Sequence, residues 1–165
     1  MEKQKKLLNP KNDYVFKRIF GYKGNENITK SLLESITVTK INKIEIKEET
    51  NLYKNLIGDK VGILDIKAVL DNEIHTDIEM QIANNKSIIH RILFYWSKMY
   101  ISNLSEGEDY KKLKKTIIVL FTDFKLEELN LINNYYSKWQ IKEAKERKNS
   151  IDKFVWNLYN WIAKM

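Results

Sequence analysis

Residues 61–82 read VGILDIKAVLDNEIHTDIEMQI, and this stretch decides the fold. Its first part, Val61 to Leu70, is apolar and rich in β-branched side chains, which predicts a strand. The next three residues, Asp71-Asn72-Glu73, are typical of a turn. Ile74 to Ile82 then alternates between apolar and polar side chains, which predicts a second strand. Together these patterns predict a β-hairpin.

The length of the turn determines which residues of the hairpin face each other. A three-residue loop makes Leu70 face Ile74, and the same register places Asp65 opposite Glu79. Directly opposite side chains share one face of a sheet, with Cβ atoms about 5 Å apart. The register also pairs Lys67 with Asp77 and Ile63 with Gln81. The hairpin is therefore predicted to bring two acids together.

Alternation along the second strand separates its side chains into two faces. One face carries polar side chains: His75, Asp77, Glu79 and Gln81. The other face carries apolar side chains that can pack: Ile74, Ile78, Met80 and Ile82. A two-residue loop would instead pair Asp65 with Met80, but Asn72-Glu73 lacks the glycine that such turns favour.

Two carboxylates that face each other repel, and three arrangements relieve the repulsion: a shared proton, a nearby Lys or a bound cation. A hard divalent ion such as Mg²⁺ binds carboxylate and carbonyl oxygens, so Asp65 and Glu79 suit it. The alternative is an ordinary strand pair with a polar outer face. Lys67 opposite Asp77 is interpreted as a surface ion pair. The residues alone leave both readings open.

Outward from the hairpin, helical and strand periods alternate along the chain. The patterns predict a helix from Asn9-Pro10 to Gly21, a helix over about Asn27 to Ile36, a strand over Ile41 to Glu48, a helix over Ser87 to Leu104, a strand over Lys115 to Phe121, a helix over Leu126 to Tyr136 and a docking helix over Ile151 to Ile162. This order predicts a single α/β domain over residues 1–165, with a helical, charged part after residue 124.

The composition excludes several classes of protein. The chain has 165 residues and no cysteine, which excludes disulfide scaffolds, thiolate metal sites and cysteine nucleophiles. It has no apolar run long enough for a membrane helix and no apparent signal peptide, so a cytoplasmic protein is expected. The net charge of +7 suggests a polyanionic partner such as DNA. Arg occurs only three times, however, and abundant Lys, Asn and Ile together are also typical of an A/T-rich genome.

Five segments carry a family resemblance in sequence order. They are NDYVFKRIFG from Asn12, ILDI from Ile63, DIEMQ from Asp77, RILFYWSKMY from Arg91 and GEDY from Gly107. Together they resemble the Rpn family, the recombination-promoting nucleases that are also called PD-(D/E)XK nuclease family transposases. The resemblance covers roughly residues 9–124.

The resemblance implies a restriction-endonuclease-like αβββαβ core, with a mixed central sheet flanked by helices. It also implies cleavage of DNA by an endonuclease that uses Mg²⁺ or Mn²⁺. Matched by motif, Asp65 and Glu79 are catalytic acids and metal ligands, with the backbone carbonyl of Met80 as a further ligand. Gln81 stands where the broader superfamily places Lys. Its amide can orient water but cannot supply a positive charge.

Three further residues match positions that support the site in the family. Asp13 would complete the metal environment, or alternatively complement the dipole of its helix. Arg91 and Tyr95 share a helix face and would support the site or touch a phosphate, although Tyr95 equally suits the core beside Trp96. The two histidines, His75 and His90, are expected to be exposed to solvent.

Besides an ordinary α/β structural or interaction domain whose charge is compositional, two hypotheses follow. The first is a metal-dependent DNA endonuclease related to transposition or recombination, acting alone or as a homo-oligomer. Family members commonly continue into a longer helical region after the segment resembling Asn134 to Gln140, so the chain is expected to be short at its C-terminus. The second hypothesis is therefore a truncated, weakly active or inactive member that binds DNA or a full-length homologue.

Overall fold

The computed structural model describes residues 8–47, 51–52, 62–63, 65–83, 86–127, 136–140 and 157–158. The helices are α1 (Asp13–Phe20), α2 (Glu26–Thr37) and α3 (Ile88–Ile101), with a 3₁₀ turn at Tyr110–Lys112. The strands are β1 (Ile44–Lys47), β2 (Asn51–Leu52), β3 (Gly62–Ile63), β4 (Ile66–Leu70), β5 (Ile74–Gln81), β6 (Lys115–Thr122), β7 (Trp139–Gln140) and β8 (Asn157–Leu158). A four-stranded mixed sheet has the order β1-β4-β5-β6. This is the predicted α/β architecture.

The predicted hairpin register is confirmed. Leu70 pairs with Ile74 and Lys67 pairs with Asp77 in the antiparallel ladder of β4 and β5. The turn between them places Asp71 and Asn72 at positive φ, a conformation that short polar side chains tolerate better than most. The three-residue loop therefore sets the register, as the missing glycine indicated.

The prediction of one long strand from Val61 to Leu70 is wrong. The chain bends at Asp65, and β4 begins only at the next residue. Before the bend, β3 pairs with β2 in a separate two-stranded sheet. Ile63 accordingly faces Asn51 and not Gln81. The bend frees the Asp65 carboxylate from the ladder and turns it toward the end of β5.

The first helix starts three residues later than the predicted Asn9-Pro10 boundary. Asn12 is the N-cap, and its side-chain oxygen accepts the Val15 N–H at 3.3 Å. Asn9 instead forms a local turn in which its side chain accepts the Lys11 N–H at 2.9 Å. Both asparagines suit an N-cap, and the one nearer the first buried residue takes that role.

One face of the sheet is covered by α1 and α2. Their buried side chains share a core with alternate residues of the central strands. This core comprises Phe16, Leu33, Ile36, Ile41, Ile66, Ala68, Leu70, Ile78, Met80, Ile117, Val119 and Phe121. Of the four predicted apolar-face residues of β5, Ile82 differs, because it lies beyond the strand and is exposed.

The opposite face of the sheet is covered by α3. A second core contains Ile88, Ile92, Met99, Ile118, Leu120 and Leu126. Since β6 contributes alternate residues to both cores, it is buried on two faces, which explains its continuous apolar sequence. It runs parallel to β5, and α3 is the helix in the connection between them. Polar residues of β5 therefore lie on the face that α3 covers.

Several predictions for the C-terminal part lie outside the described residues. That holds for nearly all of the helix over Leu126 to Tyr136 and for most of the docking helix over Ile151 to Ile162. Within the latter, Asn157–Leu158 forms β8 and pairs with β7, so these two residues are not helical. No described helix is long and apolar enough to cross a membrane.

Candidate active site

Asp65 and Glu79 meet just before β4 begins, where β5 continues beyond its pairing with β4. The Asp65 N–H donates to Glu79 Oε1 at 3.3 Å. In return the Met80 N–H donates to Asp65 Oδ2 at 2.9 Å. These two bonds take the place of the backbone pairing that would follow the Ile66–Ile78 pair of β4 and β5. The structure thus brings together the two acids that the register paired, through a bend instead of a continuous strand.

Glu79 is a buried acid. Only 1% of its surface is exposed, and Gln81 Nε2 donates to its Oε2 at 3.3 Å. Burial, followed by the nearby Asp65 charge, raises the pKa of Glu79 to about 7. The positive charge of Arg91 opposes that rise. Near physiological pH the carboxyl group is therefore divided between its protonated and ionised forms, and a bound cation would favour the ionised form.

Asp65 lies in the same acidic environment. Burial raises its pKa, while the Met80 N–H and the Lys17 ammonium oppose the shift. Its Oδ1 lies 3.3 Å from Lys17 Nζ, and 12% of its side chain is exposed. Asp65 is thus the more accessible of the two acids.

Asp77 is a third acid on this face, and it is fully buried. The interpretation of Lys67 and Asp77 as a surface ion pair is therefore wrong, although the two are cross-strand partners. Neither carboxylate oxygen of Asp77 has a hydrogen-bond partner among the described residues. Burial, then the charges of Glu79 and Asp65, raise the pKa of Asp77 well above its usual range. The polar face of β5 is covered by α3, and the sequence pattern could not show that.

Lys17 is a site residue that sequence reasoning missed. It extends from α1 to Asp65 and also lies 3.5 Å from Asp13 Oδ2. The available signal was the spacing of Asp13 and Lys17, which puts them on one helix face. Asp13 itself has an exposed side chain and reaches Asp65 only through this lysine and through its charge. It therefore lies at the rim of the site.

Arg91 and Tyr95 approach the acids from α3. The Arg91 guanidinium lies 5.9 Å from the Tyr95 ring centre. Its Nε and Nη2 atoms are buried and have no hydrogen-bond partner among the described residues. Tyr95 packs against the second core together with Trp96, and burial raises its pKa. Both sequence readings of Tyr95, as a core residue and as a neighbour of the site, thus agree with its position.

The two histidines differ in their surroundings. His90 is exposed, as predicted. His75 is half-buried, and burial lowers its pKa, followed by the charges of Lys67 and Lys114. The expectation that His75 is solvent-exposed is therefore wrong. It lies one position from the turn, at the opposite end of β5 from Glu79, and is remote from the acids Asp65 and Glu79.

Comparison with known proteins gives one finding. Residues 10–159 match the family model described as PD-(D/E)XK nuclease family transposase. The chain belongs to this family. No curated protein and no solved structure matches the chain. The match extends beyond the residues 9–124 that carried the resemblance, so the family pattern includes β7 and β8.

PD-(D/E)XK nucleases generally use divalent metals, and the residues present fit such an ion. The set is two carboxylates and a strand carbonyl, all hard oxygen donors of the kind Mg²⁺ prefers. Met80 donates its N–H toward Asp65, and in a strand the carbonyl of a residue points to the same side as its N–H. No cluster of three or more His, Asp or Glu residues suited to a metal occurs in the described part of the chain. A Mg²⁺ ion that keeps several water ligands does not require a cluster of three such side chains.

Proposed function

We propose that this chain is a metal-dependent DNA endonuclease that hydrolyses phosphodiester bonds, uses Mg²⁺ or Mn²⁺ and acts in transposition or recombination. The membership of a nuclease family supports a nuclease-type function. The observation that carries the finer proposal is the mutual contact of Asp65 and Glu79, two acids whose pKa values are both raised by burial. Such a pair is costly without a cation and stable with one.

In this proposal Asp65, Glu79 and the Met80 carbonyl hold the metal. The ion would lower the pKa of a bound water and stabilise charge on the phosphoryl group. Gln81 orients a water molecule: its amide nitrogen is used by Glu79, so its amide oxygen remains to accept a hydrogen bond from water. Arg91 presents buried N–H groups that have no hydrogen-bond partner among the described residues, and such groups suit a phosphate oxygen.

A like-charge pair on the same sheet face supports a polyanionic substrate. Lys47 and Lys67 are directly opposite across β1 and β4. Like charges in this position destabilise a sheet, and burial together with the Lys47 charge lowers the pKa of Lys67, although the Asp77 charge opposes this shift. Lys47 also contacts the exposed Glu45. A DNA phosphate over this pair would offset the repulsion, so we place the DNA backbone along it.

The unit that performs this function is proposed to be one nuclease domain made of the whole chain. A homo-oligomer, or association with a full-length homologue, stays a prediction.

The test is cleavage of supercoiled plasmid DNA in Mg²⁺ or Mn²⁺. Wild type is expected to nick or linearise the plasmid, and Asp65→Asn and Glu79→Gln should each lose about 100-fold or more of the rate. Glu73→Gln is the matched control, since Glu73 is an exposed acid in the turn at the far end of β5. Cleavage by both site variants at the wild-type rate would contradict the assignment.

One observation favours a second candidate, a DNA-binding protein without turnover. Gln81 stands where the broader superfamily has a lysine, so β5 supplies no cation to the reaction. In that case wild type binds DNA in the presence of metal but leaves supercoiled DNA intact. The plasmid assay and a binding assay on the same preparation therefore separate the two candidates.

A further inference from the structure

Phosphodiester hydrolysis builds up negative charge at the reacting phosphate, and the strand position that could offset it holds the neutral Gln81. The structure brings a cation to the same acids from another element. Lys17 Nζ on α1 lies 3.3 Å from Asp65 Oδ1, while Asp65 Oδ2 is used by the Met80 N–H. Lys17 therefore contacts the carboxylate oxygen that the backbone leaves available.

The position of Lys17 is set by the packing of α1. The neighbouring Phe16 is buried in the first core and meets the Phe121 ring edge-on, with centroids 5.7 Å apart. At the end of the helix, Gly21 lies so close to Ile66 that an added Cβ would be 3.1 Å from its side chain. These contacts fix α1 over the start of β4, where Asp65 lies. About 25% of the Lys17 side chain is exposed, so its ammonium can also face a ligand.

We propose that Lys17 supplies from α1 the positive charge that Gln81 does not supply from β5. The inference rests on the proposed nuclease function and names a further residue for it. In the hydrolysis, the water oxygen bonds to phosphorus and the bond from phosphorus to the leaving sugar oxygen breaks. A water proton passes to solvent and the leaving oxygen takes up a proton, so no other reactant is needed. The Lys17 ammonium stabilises the added negative charge while it accumulates.

A purely structural role for Lys17 makes different predictions. As a counter-ion that holds α1 to Asp65, its loss would destabilise the fold and disturb the metal ligands. As a source of charge for the reaction, its loss leaves metal binding intact or tightens it, because a cation that competes for Asp65 is removed. Measurements of metal affinity and of turnover therefore distinguish the two roles.

The experiment uses the full chain and four variants. They are Lys17→Gln, Lys17→Arg, the double variant Lys17→Gln/Gln81→Lys, and Arg18→Gln as control. Arg18 is the adjacent residue on α1, and its exposed guanidinium lies over the Tyr22 ring, 4.6 Å from its centre. The control therefore removes the same charge from the same helix away from the acids. Mn²⁺ affinity is measured by calorimetry without DNA, and plasmid cleavage is measured at saturating Mn²⁺.

We expect Lys17→Gln to bind Mn²⁺ at least as tightly as wild type and to cleave roughly 100-fold more slowly. Lys17→Arg should keep more activity than Lys17→Gln. The double variant should cleave about tenfold or more faster than Lys17→Gln, because its Gln81→Lys change supplies a positive charge from β5. Arg18→Gln should match wild type in both measurements.

Three results overturn the inference alone: cleavage by Lys17→Gln at the wild-type rate, weakened Mn²⁺ binding by Lys17→Gln, or a folded double variant no more active than Lys17→Gln. Failure of wild type to cleave, or full cleavage by Asp65→Asn, is a different result. It overturns the proposed function and this inference with it.

Discussion

Glu79 is an acid in a position where burial opposes its charge. Two neighbouring charges act on its pKa in opposite directions: the charge of Asp65 disfavours ionisation, and the charge of Arg91 on α3 favours it. Lys17 acts on the same group of acids through Asp65. A folded protein can keep such a group because the energetic cost is removed when a cation binds. The cost should therefore be measurable in the metal-free protein.

We predict that Glu79→Gln stabilises the metal-free protein relative to wild type, and increasingly so between pH 5 and pH 8. Burial raises the pKa of Glu79 from 4.5 to about 7, so between about pH 5 and pH 7 the folded protein retains a proton that the unfolded chain has released. The free energy of unfolding of wild type then falls as pH rises. Glutamine has no such titration.

Thermal unfolding of both proteins in EDTA, across that pH range, gives the measurement. The comparison with Glu79→Gln is needed because the lowered pKa of His75 shifts stability in the opposite direction near pH 6. A difference in Tm that stays constant from pH 5 to pH 8 would show that Glu79 ionises normally in the folded protein.

At the level of single residues, the sequence predicted the acid pair but not its surroundings. The hairpin register depends on local turn chemistry, so it could be obtained from residues 61–82 alone. The burial of Asp77 and the approach of Lys17 depend on where α3 and α1 pack. Those are long-range contacts, and alternation along one strand says nothing about which helix covers a face.

The helix α1 and the bend at Asp65 are the elements that assemble the site. Gly21 closes α1 by donating its N–H to the Lys17 carbonyl oxygen at 2.7 Å. A Cβ at this position would lie 2.9 Å from that oxygen and 3.1 Å from Ile66 Cγ1. The glycine thus permits the close approach of α1 to β4 that places Lys17 beside Asp65.

We therefore predict that Gly21→Ala destabilises the protein by about 1–3 kcal/mol, the usual cost of overpacking. Chemical denaturation of wild type and variant gives the difference directly. A variant as stable as wild type would show that α1 can shift without loss, and would weaken the argument that its packing fixes Lys17.

The boundaries of these elements were harder to predict than their existence. Two asparagines, Asn9 and Asn12, could each cap α1, and the choice depends on which register buries Phe16. Likewise, Val61 to Leu70 is apolar throughout, so its sequence gives no sign of the bend at Asp65. The bend becomes understandable only when Asp65 is seen to bond with Glu79 and Met80.

At the scale of the whole molecule, two cores lie on opposite faces of one sheet, and the acids lie on the α3 side. The class of fold followed from the order of periodic segments and agrees with the family. The strands of the C-terminal part could not be predicted from periodic segments, because β7 and β8 pair two short segments that are distant in sequence. Pairings of that kind leave little local signal.

The proposed DNA surface gives a prediction at this scale. Lys67→Gln should weaken DNA binding and reduce the slope of log K against log salt by about one, as expected when one phosphate contact is lost. Lys30→Gln is the matched control, since Lys30 lies on α2, which covers the other face of the sheet. Fluorescence anisotropy with Ca²⁺, across salt concentrations, measures both. Equal slopes for Lys67→Gln and wild type would show that Lys67 does not contact a DNA phosphate.

The central claim is that Asp65 and Glu79 hold a divalent metal, and calorimetric titration of the full chain with Mn²⁺ tests it most directly. Wild type and Glu73→Gln should bind the ion with equal affinity, whereas Asp65→Asn and Glu79→Gln should each bind it about 10- to 100-fold more weakly or not at all. Undiminished binding by both site variants would contradict the account, because the metal would then be held elsewhere in the chain.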